Sequence, residues 1–120
     1  MPQRKKTNEM LTKLIADLKK QAYKNDAPIW KDIAKRLEKP GKSWAEVNLR
    51  RLVKYTKKGD TVIVPGKLLG SGELNAPITV AAYSFSESAK KKIQSSGGTS
   101  ISISELVKRN PKGKNIRIIG

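Results

Sequence analysis

Two short apolar runs in the middle of the chain constrain its fold more than any other feature. They are residues 62–64 (VIV) and 78–82 (ITVAA), which are rich in β-branched side chains and are bounded by Gly, Pro and Asn. Runs of this kind predict buried strands. Between them lies a glycine-punctuated segment, residues 66–72, at whose start Pro65 and Gly66 predict a turn. Residues 60–98 are therefore predicted to form the centre of the fold.

Helical patterns precede this centre. Apolar residues recur at helical spacing over residues 8–23, where Thr7 or Asn8 would cap the helix, and again over residues 28–37, where Pro28 suits the first helical position. Residues 46–48 are compatible with a short strand. The pattern of residues 49–55 then predicts a short helix, whose inward positions would be Leu49, Leu52, Val53 and Thr56.

Further short elements follow the centre. Ser86 predicts the N-cap of a helix that ends at the glycine pair of residues 97–98. Residues 99–103 alternate as a strand does, Ser104 would cap a helix over residues 104–109, and residues 115–119 predict a last strand. Short helices that alternate with short strands indicate a mixed α/β fold whose sheet is mostly parallel or irregularly wound.

The charge of the chain is strongly uneven. The net charge is +16, yet residues 61–89 hold only one Lys and two Glu. Such a balance favours nucleic acid, an anionic membrane or an acidic protein as the partner. The chain has no Cys and no His, so we predict no catalytic residue, no metal site, no cofactor and no small-molecule substrate. The basic start lacks an apolar signal region, and no run approaches the ~20 apolar residues of a membrane span, so no membrane partner is expected.

Clusters of Lys and Arg are the predicted contacts with a polyanion. Residues 35–58 hold nine basic and two acidic residues, and residues 90–120 hold eight basic residues and one acidic residue. Like charges crowded on one short helix repel one another unless a counter-charge such as a phosphate lies nearby. The predicted RNA-binding residues are Arg4, Lys5, Lys6, Lys35, Arg36, Lys39, Lys42, Trp44, Arg50, Arg51, Lys54, Lys57, Lys58, Lys67, Lys90, Lys91, Lys92, Lys112 and Lys114.

Several of these residues have a second interpretation. The basic arm, residues 1–7, is either a disordered terminus or a tail that orders on phosphate. Residues 90–92 form either a solvated face or a cationic ridge on the side of their helix opposite Ala89 and Ile93. Trp44 lies among cations, where it either stacks on an unpaired base or folds back onto the core. Trp30 has helical core spacing, with RNA stacking as the alternative.

The glycines of residues 66–72 invite comparison with a phosphate-binding loop. The order of a nucleotide loop is absent and no helix starts directly after the glycines, so a mononucleotide site with Lys67 is disfavoured. We expect instead that Gly70 and Gly72 permit positive φ or a close backbone approach in a tight crossover. Ser84 and Ser88 lie near the predicted helix start, but without His a serine nucleophile is not expected.

The glycine segment also carries a family resemblance. VPGKLLGSGEL at residues 64–74, ITVAAYSFSESAKKKI at residues 78–93 and SSGG at residues 95–98 resemble the signature of large-subunit ribosomal protein eighteen of archaea and eukaryotes. That family is sister to bacterial large-subunit ribosomal protein fifteen. The flanks WAEVNLRRLVKYTKKGDTVIVPGK and RIIG are similar to archaeal members, and the resemblance covers about residues 25–120.

The resemblance implies a fold and a function. The fold would be a small irregular superhelix of strand-strand-helix turns with an N-terminal helical extension, in a single domain of residues 1–120: a basic arm (1–7), two helices (8–38) and an α/β core (44–120). The function would be that of a non-enzymatic constituent of the large ribosomal subunit in the cytoplasm. Its partners would be large-subunit rRNA, bound through Lys/Arg–phosphate contacts, and neighbouring large-subunit ribosomal proteins.

Two hypotheses compete with that function. A free-standing basic binder of RNA or DNA, architectural or chaperone-like, would share the cationic surface, but it would bind duplex DNA and RNA comparably. An enzyme that acts on nucleotides through residues 66–72 would bind a mononucleotide, and this binding would be lost on Lys67→Ala.

Overall fold

The computed structural model describes residues 9–120, so the cap predicted at Thr7 or Asn8 lies outside the described residues. The helices are α1 (Glu9–Lys24), α2 (Pro28–Glu38), α3 (Leu49–Tyr55), α4 (Glu87–Ser95) and α5 (Ile103–Arg109), with a 3-10 turn at Gly41–Ser43. The strands are β1 (Ala45–Asn48), β2 (Thr61–Leu69), β3 (Thr79–Phe85), β4 (Thr99–Ser102) and β5 (Ile116–Ile118). No helix in this range is long and apolar enough to span a membrane.

All five strands belong to one sheet whose pairings are parallel. β2 is its centre, because β3 pairs along most of one side of β2 while β5 and β1 share the other side, beside its first and last residues respectively. β4 pairs with β3 and forms the outer edge. The α/β class with an N-terminal helical extension is therefore confirmed, and its parallel strands require that helices cover both sheet faces.

Side chains alternate between those two faces. Ile63, Ala81 and Ile101 point to the side covered by α1, α2 and α5, which we call the α1–α2 face. Val62 and Val80 point to the other side, the α3–α4 face, where α3 and α4 pack. Each cluster excludes water from one face of the same strands, as the near-continuous apolar runs of β2 and β3 require.

The helix α3 depends on packing rather than on its own propensity. It has seven residues and its N-cap residue, Asn48, makes no side-chain cap bond, so it would not persist alone in water. Leu49 and Leu52 are fully buried, which stabilises the docked helix by about 2 kcal/mol per side chain. The prediction that Val53 points inward is wrong, because its position on the turn leaves it 38% exposed.

Pro65 and Gly66 do not form the predicted turn, because β2 continues through them to Leu69. The pairing register between β2 and β3 shifts between Val64 and Lys67, so the strand has an irregularity where the proline lacks a donor. The glycine serves strand pairing, since a Cβ at Gly66 would collide with the backbone oxygen of Ala45 in β1.

The start of α5 also differs from its prediction, while that of α4 agrees. β4 ends at Ser102, whose hydroxyl accepts a 3.1 Å hydrogen bond from the Glu105 amide, so Ser102 rather than Ser104 is the cap. Ile103, expected at the end of the strand, is the first helical residue and is buried. At α4 the predicted cap is confirmed, because the Ser86 hydroxyl accepts from the Ala89 amide at 3.2 Å.

Trp30 is a core residue, as its spacing predicts. It is fully buried in α2, and its indole Nε1 donates a 2.8 Å hydrogen bond to the carbonyl oxygen of Pro111. This bond fixes the loop after α5, in which the Asn110 side chain donates to the carbonyl oxygen of Lys114 at 2.8 Å. The tryptophan therefore connects the N-terminal helices to the segment that leads into β5.

The connection from β2 to β3 is held by close backbone packing. Gly72 has φ +109°, and a Cβ there would lie 2.6 Å from the amide nitrogen of Arg50 in α3. A Cβ at Gly70 would collide with the Ser88 hydroxyl and approach the Ala89 amide nitrogen to 2.9 Å. Both predicted roles, positive φ and close approach, are confirmed, and together they place this loop between the starts of α3 and α4.

One lysine fixes the same loop from the side. The ammonium group of Lys92 donates 2.8 Å hydrogen bonds to the carbonyl oxygens of Gly70 and Gly72 and lies 3.7 Å from the Glu73 carboxylate. Two of the three donors of the ammonium group are thus satisfied by loop carbonyl oxygens, and the Glu73 carboxylate adds a longer ion pair. Lys92 is therefore engaged within the protein and holds the loop against α4.

We expect Gly72→Ala to lower the free energy of unfolding by about 1–3 kcal/mol, because it adds a side chain at positive φ against the α3 backbone. Gly41→Ala is the control, since nothing lies within 4 Å of a Cβ at Gly41. Urea denaturation measures both. Equal stability of the two variants would contradict this role of Gly72.

We expect Lys92→Met to lower the free energy of unfolding by about 1–2 kcal/mol, because two carbonyl oxygens lose a charged donor while the aliphatic stem stays. Lys91→Met removes the same charge from an exposed position of α4 and should change stability by less than about 0.5 kcal/mol. Thermal and urea unfolding of the pair distinguish a specific clamp from a general loss of charge. The same midpoint for both variants would refute the clamp.

Candidate nucleic-acid interface

The helix α3 presents the densest set of exposed cations. Leu49 and Leu52 face the core, so Arg50 and Arg51 between them, and Lys54 after them, point outward and are exposed. Within residues 9–120 none of these three makes an ion pair. Lys57 and Lys58 follow the helix and are also exposed. Residues 49–58 thus carry five positive charges and no acidic residue.

The helix α4 adds two cations, not the three of the predicted ridge. Ala89 and Ile93 are buried, which turns Lys90 and Lys91 to solvent, and neither makes an ion pair with a described residue. Lys92 departs from the ridge, because it bends onto the carbonyl oxygens of the loop between β2 and β3. The exposed, unpaired cations of α4 are therefore Lys90 and Lys91 alone.

The same loop brings α3 and α4 together. The Arg50 amide donates a 2.9 Å hydrogen bond to the Ser71 carbonyl oxygen, and the Asn48 side chain accepts from the Ser71 amide at 3.2 Å. Gly70 and Gly72 contact the starts of α4 and α3 respectively, and two residues of chain span at most about 7.6 Å. The loop therefore sets the two helices side by side on one face of the sheet. We call their unpaired cations the cationic face: Arg50, Arg51, Lys54, Lys90 and Lys91.

The opposite side of the sheet has its charges largely balanced. Residues 9–38 contain seven basic and five acidic residues. The cations of Lys19, Arg36 and Arg109 pair with carboxylates of Glu38, Asp32 and Glu105 at 2.6, 3.1 and 3.1 Å. Arg36, a predicted RNA-binding residue, also donates a 2.8 Å hydrogen bond to the carbonyl oxygen of Gly120. Acidic residues therefore offset much of the positive charge on this side, although within residues 9–120 the lysines of α1 and α2 other than Lys19 make no ion pair.

The remaining predicted cations are dispersed. All are exposed and lie on α2, around the 3-10 turn, on β2 and in the loop before β5. Within the described residues, the side chains of these lysines make no ion pair. They are Lys35, Lys39, Lys42, Lys67, Lys112 and Lys114. Arg4, Lys5 and Lys6 lie outside the described residues. The structure thus places the predicted residues of the cationic face on two neighbouring helices, whereas the other predicted residues lie at separate positions on the surface.

Of the two interpretations of Trp44, stacking on RNA and packing onto the core, the structure shows packing. The residue is partly buried against the core of the α1–α2 face, and its ring meets Tyr83 edge-on, with centroids 4.8 Å apart. The indole Nε1 donates a 2.9 Å hydrogen bond to the carbonyl oxygen of Lys39. This packing fixes the chain before β1, so stacking on an RNA base is available only to the part of the ring that stays open.

The glycine loop does not have the geometry of a nucleotide site. A phosphate loop presents backbone N–H groups to its ligand. Here the carbonyl oxygens of Gly70 and Gly72 converge on the Lys92 ammonium group, and Lys67 lies exposed on β2. Within residues 9–120, no group of three or more acidic residues is arranged to hold a metal ion. The loop therefore acts as a structural connection between α3 and α4.

Sequence reasoning missed one polar groove beside α4. Ser84, Ser100, Lys90 and Gln94 line it, and only Lys90 was predicted as a contact. The serines stand in strands, where hydroxyl side chains carry no distinctive spacing. What brings them to one groove is the parallel pairing of β3 with β4, which puts Ser84 and Ser100 on the same face of the sheet, and this pairing depends on tertiary structure.

Comparison with known proteins shows the family of the chain. A family model described as ribosomal proteins 50S-L15, 50S-L18e and 60S-L27A matches residues 25–101. Among curated relatives, large ribosomal subunit protein eL18 of Methanoregula boonei is 50% identical over 95% of this chain and 94% of its own length. The eL18 proteins of Archaeoglobus fulgidus and Methanococcus maripaludis are 48% and 47% identical, with 96% and 94% of this chain covered and 98% and 94% of their own. Because the family model matches more than half of the chain and these relatives match nearly all of it, the chain belongs to the L15/L18e/L27A family of large-subunit ribosomal proteins.

Proposed function

We propose that the protein is a structural constituent of the large ribosomal subunit that binds rRNA through Lys/Arg–phosphate contacts on the cationic face. One observation carries the proposal. The helices α3 and α4 together carry six basic residues and one acidic residue, and five of these cations are exposed without ion-pair partners among the described residues, whereas residues 9–38 mix seven basic with five acidic residues. Unpaired cations concentrated on two neighbouring helices favour a polyanionic partner.

The proposed mechanism is electrostatic. Each cation that neutralises a phosphate releases a condensed counterion, which makes binding weaken steeply as salt rises. A double-helical RNA segment is recognised mostly by its shape and backbone, so cations on a rigid helix pair can join folded RNA segments without reading their sequence. Arg50 and Arg51 suit bidentate phosphate contacts, while the lysines act as point charges.

The remaining parts of the proposal follow the family. We propose that residues 1–120 act as one ribosomal domain in the cytoplasmic large subunit, with a basic arm, two helices and an α/β core. Neighbouring large-subunit ribosomal proteins complete the set of partners. The dispersed predicted cations supply further phosphate contacts. The proposed role involves no catalysis, no cofactor and no small-molecule substrate.

Charge reversal tests the proposed interface. The triple variant Arg50→Glu, Arg51→Glu and Lys54→Glu should weaken binding to a large-subunit rRNA fragment and flatten the plot of log affinity against log salt. With about 0.7–0.9 counterions released per phosphate, loss of three contacts removes roughly two to three units of slope. Fluorescence anisotropy over a series of salt concentrations measures both effects.

A matched control separates this surface from net charge. Lys13→Glu, Lys20→Glu and Lys24→Glu change the charge by the same amount at exposed positions of α1, and this variant should keep most of the affinity and slope. If both triple variants lose binding equally, the cationic face is not the interface. If wild-type protein binds duplex DNA as tightly as rRNA and sediments apart from ribosomal subunits, the free-standing binder is the correct function.

A further inference from the structure

An open groove of about 490 Å³ runs along the edge of the sheet beside α4. β3 and β4 contribute Ser84 and Ser100, and α4 contributes Lys90 and Gln94. No acidic residue lines this groove, whereas the open depression beside α3 includes Glu46 and the groove between α1 and α2 includes Asp26 and Glu38. The groove beside α4 thus combines polar donors with apolar residues such as Phe85 and Ile101, and it has no carboxylate to repel an anion.

The polar side chains of this groove are not engaged by the protein. Within residues 9–120, the side chains of Ser84, Ser100, Lys90 and Gln94 make no hydrogen bond or ion pair. The neighbouring hydroxyls of Ser86 and Ser102 differ, because they accept from backbone amides and cap helices. Ser84 and Ser100 are half-buried and fulfil no capping role, so their hydroxyls are free to meet a ligand.

We propose that this groove binds the sugar–phosphate backbone of RNA, with Lys90 and Gln94 donating to a phosphate and the hydroxyls of Ser84 and Ser100, which lie four residues apart along the strand direction, bonding the 2′-OH groups of two different riboses. The inference rests on the proposed function and deepens it. A 2′-OH both donates and accepts, which matches a serine hydroxyl, and it is the group that distinguishes RNA from DNA. The groove therefore supplies a preference for RNA that phosphate contacts alone do not give.

The position of the groove favours RNA over a protein strand. Lys90 belongs both to the groove and to the cationic face, so one backbone can follow from the face into the groove. A protein strand that adds to the outer edge of β4 would bond backbone groups and would need neither Lys90 nor the serine hydroxyls.

The double variant Ser84→Ala and Ser100→Ala tests the inference in the full chain. The probe is the large-subunit rRNA fragment that binds wild-type protein, in its ribose form and with single 2′-deoxy substitutions. The variant should bind about tenfold more weakly, from two lost hydrogen bonds, while the salt slope stays unchanged because no charge is removed. The 2′-deoxy positions that weaken wild-type binding should no longer weaken binding by the variant.

The control is Ser95→Ala with Ser104→Ala, which removes two exposed hydroxyls that do not line the groove. It should bind as wild type does, and thermal melting should show all three proteins equally folded.

Unchanged affinity and unchanged 2′-deoxy sensitivity in the groove variant would overturn the inference while leaving the cationic face intact. If the groove variant keeps its rRNA affinity but large subunits assembled with it lack a neighbouring ribosomal protein, the groove binds that protein and not RNA. Absence of rRNA binding by wild type would overturn the proposed function as well.

Discussion

Coverage of both faces of a parallel sheet is the constraint on which the rest of the structure depends. β2 pairs with β1, β3 and β5, and its side chains are buried on both sides, so helices must lie above and below it. A chain with few apolar residues meets this requirement with short helices that each bury two to four side chains. The charged residues on the outer surfaces of these helices are not constrained by the core, and they differ between the two sides of the sheet.

The two sides differ in their electrostatics, and the loop between β2 and β3 holds the helices of the more cationic side together. The clamp formed by Lys92 on the carbonyl oxygens of Gly70 and Gly72 leaves the loop in contact with both α3 and α4. Without it, like-charged helices would tend to separate, because their unpaired cations repel one another. The ammonium group of Lys92 binds the loop instead of facing solvent, and this contact keeps the helices that carry the cationic face together. On the other side, surface ion pairs contribute at most about 1 kcal/mol each, yet they neutralise the cations they contain.

Local patterns in the sequence were sufficient for the elements and for most of the charged surface. The bounds of α3 and the cap of α4 follow from apolar spacing and from Ser86, and the glycine loop behaves as its composition predicts. One error arose where tertiary pairing competes with local preference. Pro65 and Gly66 form a turn in most contexts, but here a register shift in the sheet admits the proline. At α5 the error was local, because Ser102 has Glu105 three residues later, which is the spacing of a capping box, whereas Ser104 is followed by Val107 at that position.

The candidate interface could be predicted in composition but not in geometry. Residues 90–92 are three lysines with the same local signal, and their separation into two exposed cations and one clamp depends on a loop about twenty residues earlier in the chain. Arg36 likewise meets the carbonyl oxygen of Gly120, a partner that no local pattern reveals. Nor does one sequence show that α3 and α4 share a sheet face, since that follows from the parallel order of β1 to β4.

A density map of the assembled large subunit that contains this chain tests the central claim most directly. The account predicts rRNA phosphates at hydrogen-bond distance from Arg50, Arg51 and Lys54 and beside Lys90 and Lys91, with the Lys92 ammonium group still on the loop carbonyl oxygens. A map in which the α3–α4 face lies open to solvent, with RNA only against α1 and α2, would contradict it.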